Sequence, residues 1–70
     1  MKYYLNLNQQ SEHNEHELHK ENCSYLPSRD NLSYIGDFSS DTNALIAAKS
    51  KHPQYIIDGC NYCYPSIHKI

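Results

Sequence analysis

His19 is followed after three residues by Cys23, and Cys60 after two by Cys63, so two short pairs of ligand-type side chains stand far apart in a chain of 70 residues. No other feature constrains the fold as much, because the early pair and the late pair have to meet if they share one chemistry. A C-x2-C turn points two thiolates to one side, and four N/S donors in tetrahedral array are what structural zinc sites use. The spacing predicts Zn2+ held by His19, Cys23, Cys60 and Cys63, with His68, five residues after Cys63, as the substitute ligand. Other readings of the same residues stay open: a Cys60–Cys63 disulfide, a small buried thiol at Cys23, or a surface histidine at position 19. A thioredoxin-like redox pair fits poorly, since such a motif opens a helix and here "CYPSIHKI" brings in Pro65.

A staple is also what a chain of this size needs. A domain of some 60 residues buries only about 60% of the surface that its unfolded form exposes. Apolar material is thin: no Trp, one Phe, one Met and seven Tyr, whose hydroxyls want water or a partner. Metal binding in small zinc peptides contributes roughly 10–16 kcal/mol, enough to decide whether such a chain folds. Residues 1–70 read as a single domain, with no internal repeat or linker. Three cysteines is an odd number, which suits a metal site better than a pure disulfide framework.

The formal charge is -2 with five histidines, so no basic field draws in phosphates and nucleic acid is a poor default partner. "MKYYLNLNQQ" has no apolar run of signal-peptide length, and nowhere are there the roughly 18 apolar residues that a spanning helix requires. These features predict a soluble, cytoplasmic protein without membrane contact.

In "YYLNLN", Tyr3, Leu5 and Leu7 alternate with Tyr4, Asn6 and Asn8, the period of a half-buried strand. A short second strand is expected over Glu15 to His19 with Leu18 as its apolar anchor, the polar run before it being loop. Pro27, Ser28, Asp30 and Asn31 are turn formers. "LSYIGDF" reads as a third strand with Gly36 at a bulge or close approach. A helix follows, capped by Ser39 or Ser40, with Asp41 in its first turn, Ala44, Leu45 and Ala48 on one face, Lys49, Lys51 and His52 at its end, and Pro53 beyond. "QYIIDGC" reads as a buried strand ending in an Asp-Gly turn that delivers Cys60 and Cys63. The expected fold is α+β: a small antiparallel sheet of three to four strands with one helix, stapled by a metal knuckle.

"LHKENCSYL", "DFSSDTNALIAAK" and "DGCNYC" occur in an order that resembles the small zinc-binding module of the Ada-type DNA-repair protein, which is also appended to some bacterial nucleases. The resemblance covers about Leu18 to Cys63, its specific parts being H-x3-C and C-x2-C. The whole chain is also similar to small uncharacterised bacterial proteins with this pattern. The family's fold and zinc are what the resemblance implies, but not its methyl transfer. The acceptor in the family is a zinc-bound cysteine where this chain has His19, and the family's basic residues near the last pair are replaced by Ile57, Asp58, Asn61 and Tyr62.

Other constellations are weaker. His13, His16 and His19 stand three apart, but a strand would send His16 and His19 to opposite faces. Glu15 and Glu17 read as a solvated strand edge. There is no glycine-rich phosphate loop and no local support for a hydrolase triad. Tyr25, Tyr34, Tyr55, Tyr62 and Tyr64 read mainly as packing around the sheet and knuckle, with an exposed patch at Tyr62 and Tyr64 suited to a protein partner. The sequence thus predicts a non-catalytic, structural-zinc module for protein interaction or inhibition. Two alternatives stand beside it: a nucleic-acid accessory domain using Lys20, Arg29, Lys49 and Lys51, and a zinc- or redox-responsive protein.

Overall fold

The chain folds into β1 (Lys2–Asn6), where apolar residues alternate, β2 (Glu15–Lys20) around the single apolar Leu18, β3 (Leu32–Asp37) and β4 (Ile56–Gly59), in which Asp58 and Gly59 belong to the strand and do not form the expected turn. A 3-10 turn at Arg29–Asn31 precedes β3, and α1 (Asp41–Lys51) lies between β3 and β4. The computed structural model describes residues 1–8, 14–60 and 62. The strands form one sheet in the order β3-β1-β2-β4, so the protein is α+β, with one α-helix among the described residues, as the sequence implies.

The sheet is mixed, however, where a purely antiparallel one is expected from consecutive strands. β1 pairs antiparallel with β2 and with β3, but β4 runs parallel to β2. The reason is α1. A helix between β3 and β4 carries the chain back to the end at which β3 began, and the next strand must then run the same way.

Tyr3 and Leu5 of β1, Leu18 of β2 and Ile57 of β4 form one face of the sheet, and Ala44 and Ala48 of α1 close it. Phe38, Ile35, Leu45 and Tyr55 pack around this cluster. Leu5 and Leu18 are fully buried, each stabilising the fold by roughly 1.5–3 kcal/mol. The two alanines lie one turn apart, and their small side chains let the helix approach the sheet closely. Ser40 Oγ accepts from the Asn43 N–H at 3.1 Å, so Ser40 is the N-cap, and the His52 N–H closes the other end on Ala48 O at 2.9 Å.

Three local expectations change. Leu7 is exposed because β1 ends at Asn6. Asn6, expected on the wet face, is buried, with its carbonyl O 3.0 Å from His16 Nδ1. The Glu15 and Glu17 pair does not line a solvated edge: β2 is an inner strand, Glu15 is buried and Glu17 half-buried. Gly36 does sit at an irregularity. Tyr3 faces Gly36 and Tyr4 faces Tyr34, which leaves Ile35 as the extra residue, and Gly36 has φ 148°. Among the described residues, no helix is long and apolar enough to cross a membrane.

Candidate metal centre

Parallel pairing of β2 with β4 builds the site. Leu18 lies opposite Gly59, so the next residues, His19 and Cys60, come side by side at the C-terminal ends of the two strands. The Cys60 N–H donates to Leu18 O at 3.0 Å and fixes that register. In an antiparallel pairing, the end of β4 would lie beside the start of β2, more than 10 Å from His19 at about 3.3 Å per residue. Side-chain alternation puts His19 on the face away from α1, opposite Leu18.

Cys23 reaches the same place through two tight turns. Its N–H donates to Lys20 O at 3.0 Å, and the Leu26 N–H donates back to Cys23 O at 3.2 Å. The ligand atoms of His19, Cys23 and Cys60 all lie within 4.8 Å of one another, close enough to bind one metal ion. Cys23 Sγ and Cys60 Sγ are 3.9 Å apart. Cys63 and His68, the remaining candidate ligands, lie outside the described residues, as does His13.

The donor set fits a metal. His19 and Cys60 are each 1% exposed, and burial lowers the pKa of His19, which keeps its imidazole neutral and its lone pair available. Ligation by the buried Cys60 would place a thiolate away from water, and a metal ion supplies the positive partner that it would then need. Glu17 Oε1 lies 3.9 Å from His19 Nε2, adding negative charge beside the cluster. Cys60 carries a free thiol, whereas Cys23 is in a disulfide. Reduction of Cys23 to a thiolate therefore precedes any ligation by its sulfur.

His16 stays apart from the cluster, as strand alternation requires. Its ring stacks on Tyr55 at 3.9 Å, and Tyr55 in turn stacks on His52 at 5.1 Å. Around the site, Tyr25 and Tyr62 stack on each other at 4.0 Å while remaining 57% and 66% exposed. Tyr34 is also exposed, whereas Tyr55 is half-buried, so the tyrosines divide between packing and surface. The Glu17 contact was not anticipated. Its signal was the two-residue spacing from His19, which on a strand means one face.

Protein-family models, curated proteins and solved structures yield no match to this chain. The likeness to the Ada-type module thus stands on its sequence pattern alone.

Proposed function

We propose that the protein is a small structural-zinc domain, non-catalytic, that acts as a protein-interaction or inhibitory module. The observation that carries the metal is the convergence of His19, Cys23 and Cys60 from β2, the following turn and the end of β4. One imidazole and two sulfurs suit zinc among the common metals. Cys63 completes the set on its C-x2-C spacing, with His68 as substitute. A fully ligated ion leaves no open position for water, hence no metal-centred catalysis. The exposed Tyr25–Tyr62 stack beside the cluster supports a protein partner, since tyrosines are favoured where surfaces meet.

A zinc- or redox-responsive role is the second reading, and it draws on the oxidised Cys23 beside the free thiol of Cys60. The nucleic-acid reading gains no support. Lys20 Nζ lies 3.5 Å from Asp41, and Lys51 Nζ donates to Tyr34 O at 2.6 Å, so two of its four cations are already engaged.

Elemental analysis and native mass spectrometry of reduced protein test the proposal, wild type beside His19→Ala and Cys60→Ser. The expected result is one zinc per wild-type chain, lost in both variants. Reduced wild type that takes up no metal, and melts as the variants do, would overturn it.

A further inference from the structure

The sheet face that carries His19 also holds a cavity that the metal cluster does not use. It has a volume of about 610 Å³, and its lining includes Tyr4 and Tyr34 from the sheet with Glu21, Leu26, Pro27 and Arg29 from the segment after β2. The two tyrosine rings lie 5.4 Å apart at 54°. The segment is tied at both ends: the Glu21 N–H donates to Lys2 O at 2.9 Å, and Asn31 O accepts from the Leu7 N–H at 2.8 Å. The cavity is therefore preformed, and its size lies within the range of ligand sites.

Its charges are the informative part. Among the described residues neither Arg29 nor Glu21 enters an ion pair, with each other or with anything else. A cation and an anion thus line one aromatic cavity and leave each other free. The complement of that pattern is an apolar side chain flanked by a carboxylate and an ammonium group. Tyr25, next to Leu26 in the chain, and Tyr34 itself are both exposed, extending the aromatic surface past what a single amino acid covers.

We propose that this cavity receives a peptide segment of a protein partner. An aromatic or branched side chain packs on Tyr4, Tyr34 and Leu26, a neighbouring carboxylate meets Arg29, and a neighbouring ammonium meets Glu21. This deepens the protein-interaction reading above and rests on it. Because Cys23 lies within the segment that walls the cavity, the metal would hold that wall in place.

The test is NMR titration of reduced protein of measured zinc content, following the Tyr4, Tyr34 and Arg29 signals. The probes are a blocked tripeptide with tryptophan between aspartate and lysine, its asparagine and glutamine counterpart, and free tryptophan. The charged peptide is expected to shift those signals, and Arg29→Met and Glu21→Gln, both at exposed positions, to weaken it about tenfold each with zinc content unchanged. Equal binding of the neutral peptide or of free tryptophan would overturn the proposal. Shifts confined to Tyr25 and Tyr62 would overturn it too, while leaving the interaction reading in place on the exposed stack. No shift with any probe at millimolar concentration, on protein with its zinc and melting intact, would overturn the cavity without touching the metal assignment.

Discussion

The Tyr3 hydroxyl donates to Asp41 Oδ1 at 2.6 Å and ties β1 to the first turn of α1. Burial, that hydrogen bond, and the negative charges of Asp41 and Asp37 raise its pKa to about 12, from 10.0 in the unfolded chain. A raised acid pKa means that the folded state resists losing the proton. The stabilisation is complete below pH 10 and is lost as pH rises from there towards 12. Two units correspond to on the order of 3 kcal/mol. Tyr3→Phe should therefore show a shallower loss of stability between pH 10 and 12 than wild type, in chemical denaturation followed by circular dichroism. Equal slopes in the two proteins would show that this hydroxyl does not drive the alkaline loss. The same scale explains why His19 was legible and Glu21 with Arg29 was not. A histidine four positions before a cysteine has few uses, whereas isolated charges in a turn gain meaning only when Tyr4 and Tyr34 are placed beside them.

At the level of elements, Gly36 decides how β3 meets β1. With φ 148° it occupies backbone space that side chains avoid, and a Cβ there would stand 2.8 Å from the Phe38 ring. The ring can move, so most of the cost is in the backbone, about 1–3 kcal/mol. Gly36→Ala should lower the unfolding free energy by that amount and perturb amide signals along β3 while sparing those of β2 and β4. An unchanged melting curve would mean that the bulge adapts. This glycine, the Ser40 cap and the strand alternation were readable from sequence because each is a local rule. The direction of β4 was not, since "QYIIDGC" reads equally well in either orientation and only the crossing of α1 over the sheet settles it. Asn6 and Glu15 escaped for a related reason. Their burial follows from which strands are inner, and strand order is not written in any one segment.

For the whole molecule, the parallel β2–β4 pair and the cysteines act together. The cluster joins the turn after β2 to the last residue of the described core, Cys23 and Cys60 being 37 positions apart. Cross-links over such a span restrict the unfolded chain strongly. The core beneath is small among the described residues: six form its buried cluster, two of them alanine. A disulfide at Cys23 and a metal at the same sulfur are mutually exclusive, since ligation requires the thiolate. The two forms should consequently differ in what stabilises them. Zinc added to fully reduced protein should raise the melting temperature in proportion to the logarithm of free zinc, as binding to the folded state alone demands, and chelation should reverse it. The same zinc added to protein oxidised at Cys23 should produce a much smaller shift, and a thiol reductant should restore the full one. Calorimetry on the two forms checks this directly. An oxidised chain that gains as much as the reduced one would show that the ion is held without Cys23, by His19 and Cys60 with ligands other than those the spacing proposes.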